Sequence, residues 1–152
     1  MNIKIFLTIV AAILMMAACT NKNEVVSVAD IAGTYSGYSD ADCAYFQDKY
    51  TDGESAVITA NSDGTVAVSY KSATWGTFEV ASATVTKNGD IYAISGASKV
   101  TMGMGESTTD YDFTLAATTT AAKDTYSIVY TVPSVMGGLT ITLLPGVAPA
   151  AE

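Results

Sequence analysis

From residue 33 onward the chain alternates apolar and polar side chains with a period of two. Tyr111, Phe113, Leu115 and Ala117 fall on one side of an extended backbone, Asp110, Asp112, Thr114 and Thr118 on the other. Tyr126, Ile128, Tyr130 and Val132 repeat the pattern, as do Leu139, Ile141 and Leu143, and Val66, Val68 and Tyr70. Alternation rich in β-branched and aromatic residues predicts half-buried antiparallel strands. No stretch after the N-terminal segment carries an apolar stripe at helical spacing.

Turn residues separate these runs at hairpin distances. "NSDG" at 61–64 and "KNGD" at 87–90 supply the positive φ that tight hairpins require. Gly103 and Gly105 mark another break, and "AAKD" and "PSVMGG" close the last two hairpins. The predicted strands are 33–38, 56–60, 65–71, 77–86, 91–95, 99–102, 110–118, 126–132 and 139–143. Eight or nine strands in meander order suit a closed antiparallel barrel, and closure removes the edges that Thr-rich strands would leave exposed. In "GTFEVASATVTKNGDIYAISG", Phe78 and Val80 lie in one phase and Val85 in the other. The expectation is a bulge near 81–83, or a bend at a barrel corner.

The first residues follow a different logic. Lys4 precedes the apolar run 5–15, and the small residues Ala17 and Ala18 precede Cys19. A basic start, a short apolar stretch and small residues have the layout of a secretory signal. The run is too short for a membrane helix, which needs roughly 20 apolar residues. Met16-Ala17-Ala18-Cys19 resembles the lipobox of bacterial lipoproteins, which implies that Cys19 becomes an acylated first residue. Thr20 after the cysteine, where Asp would suggest inner-membrane retention, favours the outer membrane. The expected organisation is a signal peptide at 1–18, the acylated Cys19 and a polar tether over 19–29, a barrel over 30–146 and a short tail over 147–152.

Charge narrows the function. The chain carries 15 acids against seven basic residues and a net charge of −8, and every basic residue is Lys. Loss of Lys4 with the leader makes the remainder one charge more acidic. An acidic surface without Arg argues against nucleic acid. It also repels anionic headgroups, so attachment is expected to come from acyl chains at Cys19.

Chemistry is narrowed in the same way. There is no His, so neither a Ser–His nor a Cys–His pair exists. Cys43, the second cysteine, has no intramolecular partner once Cys19 is acylated, and is read as a small hydrophobe or an exposed thiol. No zinc site, no cofactor and no catalytic residue is expected. The acidic segment "SDADCAYFQDKYTDGE" holds Asp40, Asp42, Asp48, Asp52 and Glu54, lacks the order of an EF-hand, and reads as a solvated connector between the first two strands. Glu79 is expected at an edge or rim, and Asp110 and Asp112 in solvent.

The stretches "IAGTYSGY", "DGTVAVSY", "GTFEVASATVTKNGDIYAISG" and "YSIVYTVPSVMGGLTITLLPG" together resemble the calycin-like (lipocalin-like) β-barrel lipoproteins of gut-dwelling Gram-negative bacteria. Gly33-Thr34-Tyr35 is similar to the Gly-x-Trp of the lipocalin first strand, although the Arg that packs on that aromatic is missing. The resemblance implies a small barrel whose relatives often hold apolar molecules. Inward Tyr35, Tyr70, Tyr111, Phe113, Tyr126 and Tyr130, with Trp75 near a strand start, are the candidate ligand-lining residues. The two readings are a non-enzymatic envelope lipoprotein binding a small apolar or amphipathic ligand, and a structural or protein- or glycan-interaction module whose aromatics fill the core.

Overall fold

The computed structural model describes residues 26–150. Eight strands form one closed barrel in simple chain order: β1 (Gly33–Asp42), β2 (Lys49–Ala60), β3 (Val66–Ser72), β4 (Gly76–Asn88), β5 (Ile91–Met104), β6 (Ser107–Thr120), β7 (Tyr126–Val132) and β8 (Leu139–Pro145). Every neighbouring pair is antiparallel. Closure comes from β1 against β8, in register from Gly37 opposite Pro145 to Asp42 opposite Thr140. The period-two pattern does what it predicts: odd positions of β6 and even positions of β5, β7 and β3 point inward and are largely buried.

The outer faces carry Thr, Ser, Asp and Lys, and the interior carries Val, Ile, Leu, Tyr and Phe. That is the reverse of a membrane-spanning barrel, whose outer band is apolar and whose interior is polar.

Two predicted strands, 91–95 and 99–102, are one continuous strand, which makes the total eight. The reason is Gly96 between them. A Cβ there would lie 2.8 Å from Cγ1 of Val80 and 3.3 Å from Cβ of Ala83. The glycine lets β5 pass close under the irregular part of β4 instead of breaking. That irregularity is the expected bulge: Val68 pairs with Val80 but Val66 pairs with Ala83, so β4 holds one extra residue and its pleat reverses.

The acidic segment is not a solvated connector. β1 runs on through Asp42 and β2 begins at Lys49, leaving only six residues as the loop. Asp40 and Asp42 are strand residues of β1, and Asp52 and Glu54 of β2. A second bulge corrects the phase: Gly37 pairs with Glu54 but Tyr38 with Asp52, so Gly53 is the extra residue, at φ 72°. Glycine is what that conformation favours. On its far side Glu54, Ala56 and Ile58 point inward.

One end of the barrel is closed by a 3-10 turn, Val28–Ile31, whose Val28 and Ile31 belong to the apolar core. Residues 28 and 29, read above as the end of the tether, therefore lie in this plug. Tyr35 Oη donates to Ile31 O at 2.7 Å and Tyr92 Oη donates to Asp30 at 2.9 Å, fastening the plug from opposite sides. The other end, where β1–β2, β3–β4, β5–β6 and β7–β8 turn, is the mouth.

Candidate functional site

The middle of the barrel is solid. Tyr70 stacks on Tyr130 with centroids 5.0 Å apart, Phe78 meets Tyr130 at 5.1 Å, and Phe113 meets Phe78 edge-on at 5.1 Å. All four rings are 0–1% exposed. Each such pair adds about 0.5–1.5 kcal/mol beyond burial, so these rings hold one another rather than a central void. Burial, reinforced by Tyr70, raises the Tyr130 phenol far above its ordinary range.

Polar groups gather above this stack, on the mouth side. Glu54 and Ser72, each at the end of an inward row on β2 and β3, flank Tyr70. The Tyr70 hydroxyl donates to Oε2 of Glu54, and Ser72 Oγ donates to Oε1 at 3.2 Å. Ser72 Oγ in turn accepts the backbone N–H groups of Thr74 and Trp75, both at 3.2 Å, which shapes the β3–β4 turn and seats Trp75. Burial and the Glu54 acceptor push the Tyr70 phenol up. It stays neutral at physiological pH and is no base. Glu54 is 7% exposed and Ser39 fully buried. Ser39 Oγ, Tyr130 Oη and Trp75 Nε1 are buried without a hydrogen-bond partner among the described residues, an arrangement native proteins rarely leave unused.

The rim is apolar and softer. Phe46, Cys43, Met102, Tyr111 and Val135 are half-buried and come from the strand ends and loops at this end. Phe46 lies 6.0 Å from Trp75, and the Lys49 ammonium sits over both rings at 5.4 and 5.5 Å. The β1–β2 loop is tied across to the β7–β8 loop by Ala44 N–H donating to Met136 O at 3.2 Å. The mouth thus has a polar floor, aromatic walls and one cation at its lip. By contrast, a depression of about 390 Å³ beside Lys99, Asp112 and Pro133 is crossed by the exposed Lys99–Asp112 ion pair.

The sequence-predicted residues divide between the two ends. Tyr35 and Tyr126 pack edge-on at 5.0 Å beside the plug, far along the barrel from the mouth. There Tyr126 Oη donates to Ser36 O at 2.6 Å. Tyr70, Tyr130 and Phe113 form the central stack, and Trp75 and Tyr111 belong to the mouth. Cys19 lies outside the described residues. Cys43 is a free, half-buried thiol whose sulfur accepts the Tyr45 N–H at 3.3 Å. Asp110 and Asp112 are solvent-facing, as expected, whereas Glu79, expected at an edge or rim, lies exposed on the outer face of β4 opposite Ser69, because the closed barrel has no edge.

Glu54, Ser39, Ser72 and Phe46 were missed. Parity could have found two of them, because Glu54 shares the phase of Ile58 and Ser72 that of Tyr70.

A closed eight-stranded meander with a 3-10 plug at one end and a polar-floored mouth at the other defines a small calycin-type barrel. The Calycin-like beta-barrel domain family matches residues 31–143, and the chain belongs to that family. The fold is also similar to the crystal structure of a Bacteroides fragilis protein provisionally named an outer membrane protein. The two are 32% identical with a TM-score of 0.66, over 78% of this chain and 45% of the other, so this chain spans under half of that protein's length. No curated protein matches.

Proposed function

We propose that this protein is a non-enzymatic binding module of the cell envelope, and that its ligand is a small amphipathic molecule taken at the mouth rather than in the barrel centre. The observation that carries this reading is the group of buried polar atoms without partners among the described residues, Ser39 Oγ, Tyr130 Oη and Trp75 Nε1, around the Glu54–Tyr70–Ser72 network under an apolar rim. A ligand with a polar tip would meet donors and acceptors at the floor, and its apolar body would lie against Phe46, Trp75 and Tyr111. Binding rather than catalysis fits a chain without His whose buried phenols are held neutral.

Envelope placement is supported by the Cys19 motif and by the name of the Bacteroides relative. The polar outer face favours a barrel anchored to the outer membrane by acyl chains on Cys19 over one that spans it. No nucleic-acid partner is proposed.

Trp75 is the single tryptophan of the chain, so its fluorescence reports on the mouth. Titration with medium-chain fatty acids and their alcohols should shift its emission saturably, and Glu54→Gln should weaken the response at least fivefold. An unchanged spectrum across the series, or one indifferent to Glu54, overturns the mouth assignment.

The second reading, an interaction module with a filled core, is favoured by the mutual stacking of Tyr70, Phe78, Phe113 and Tyr130. It requires a protein or glycan partner retained after mouth substitutions and lost on altering residues 40–54.

A further inference from the structure

Where β1 meets β2 near the mouth, Tyr38, Asp40 and Asp42 of β1 share the outer face with Tyr50 and Asp52 of β2, because Asp40 pairs with Tyr50 and Tyr38 with Asp52. Asp48, in the intervening loop, turns onto the same face. Its backbone N–H donates to Asp42 Oδ1 at 2.8 Å, and its Oδ1 accepts from Tyr50 Oη at 3.2 Å. One carboxylate oxygen from each of Asp40, Asp42 and Asp48 lies within 4.8 Å of the other two.

Three carboxylates at that spacing repel unless a cation or protons intervene. No ion pair reaches them among the described residues. Lys49, the nearest lysine in sequence, points the other way: it pairs with Ala41 on the inward phase, and its ammonium rests on Phe46 and Trp75.

A cluster of acids on a surface is common and proves little. This one differs in Asp40. The residue is 3% exposed although it lies on the outer face, its carboxylate is turned into the cluster, and its Oδ1 has no hydrogen-bond partner among the described residues. A buried carboxylate oxygen left unpaired is costly, and the fold tolerates it where a ligand completes it. An all-oxygen donor set without imidazole or thiolate selects a hard cation. Calcium takes oxygens at about 2.3–2.6 Å in adaptable geometry, so two of its ligands can sit up to about 5 Å apart, whereas magnesium demands about 2.0–2.1 Å and a strict octahedron. We propose that Asp40, Asp42 and Asp48 form a calcium site on the outside of the barrel, pinning the β1–β2 loop that carries Phe46 and Cys43 at the rim.

The test uses the purified protein and calcium alone. Millimolar calcium should raise the melting temperature of the wild type, and equal magnesium should raise it less. Terbium should show tyrosine-sensitised emission, through Tyr50 beside Asp48, that calcium displaces. Asp42→Asn and Asp48→Asn, the latter at an exposed position where Asn tolerates the φ of 53°, should each cut both signals at least fivefold. Asp110→Asn, on β6, should leave them intact. The proposal is overturned by no response in the wild type, by undiminished responses in both variants, by equal loss in Asp110→Asn, or by magnesium matching calcium.

Discussion

Tyr70 and Glu54, sixteen residues apart, meet inside the barrel where the aromatic stack gives way to the mouth: the phenol donates to the carboxylate, and Ser72 donates to its other oxygen. The pair joins the core, which Tyr70 enters by stacking on Tyr130, to the turn that seats Trp75. Tyr70→Phe keeps the ring and removes the donor, leaving Glu54 with Ser72 as its remaining side-chain donor. Stability should fall by about 1–3 kcal/mol. The Tyr70→Phe/Glu54→Gln double variant should lose less than the two single variants together, as a urea-denaturation cycle would read. Strict additivity would mean that the two groups are not coupled.

Gly96 and Val80 make a second close pair. Gly96→Ala places a methyl 2.8 Å from Val80 Cγ1 and should cost about 1–3 kcal/mol by overpacking. In a Val80→Ala background the same substitution should cost much less. Equal cost in both backgrounds would show that β5 does not pass the β4 bulge as described.

The parts of this fold that follow from local chemistry were readable in the chain. Alternation located the strands, Asn-Gly and Asp-Gly located the hairpins, and the phase reversal between Val80 and Val85 announced the β4 bulge. What was not readable depends on neighbours distant in sequence. Gly96 reads as a strand end until Val80 lies beneath it. Glu54 reads as one acid in a solvated run until β2 is extended back past Ala56, which carries the inward phase of Ile58 to it. Asp40 reads as exposed until Asp42, Asp48, Tyr38 and Tyr50 close around it. The inward tyrosines were recognised as a set, but only register separates Tyr35 and Tyr126 at the plug from Tyr111 at the mouth.

Asp40 should make stability depend on pH. Burial first, then the carboxylates of Asp42 and Asp48, raise its pKa from 3.8 to about 6. Tyr38, Tyr50 and Asp52 are the other titratable groups on this face, and β8 presents uncharged Thr140 and Thr142. Because the folded protein holds this proton more tightly than the unfolded chain, the contribution is full below pH 3.8 and is lost as pH rises through about 6. It is worth about 1–2 kcal/mol after allowance for solvent screening. In calcium-free buffer, Asp40→Asn should flatten the stability profile between pH 4 and 6 and stabilise the protein at pH 7. A profile unchanged by the substitution would remove Asp40 as its source.

The plug offers an independent check. Tyr35→Phe deletes the hydrogen bond to Ile31 O and should cost about 1 kcal/mol. Hydrogen exchange should speed up at residues 28–31, while Trp75 fluorescence at the opposite end stays unchanged. A change in Trp75 emission without faster exchange at the plug would contradict the separation of the two ends.

The proposed anchoring rests on one sulfur, that of Cys19. Metabolic labelling with an alkyne fatty acid should mark the wild type in an outer-membrane fraction, and Cys19→Ala should abolish both the label and the fractionation. Label retained by Cys19→Ala would place the acyl chain elsewhere.

The most direct measurement is native mass spectrometry of the protein taken from its own envelope, compared with the same sample denatured so that covalent acyl mass is subtracted. A non-covalent adduct should be retained by the wild type and by Tyr35→Phe, and lost from Glu54→Gln and Trp75→Phe. A bare protein mass in the wild type, or an adduct that survives both mouth substitutions, would contradict a ligand held at the mouth.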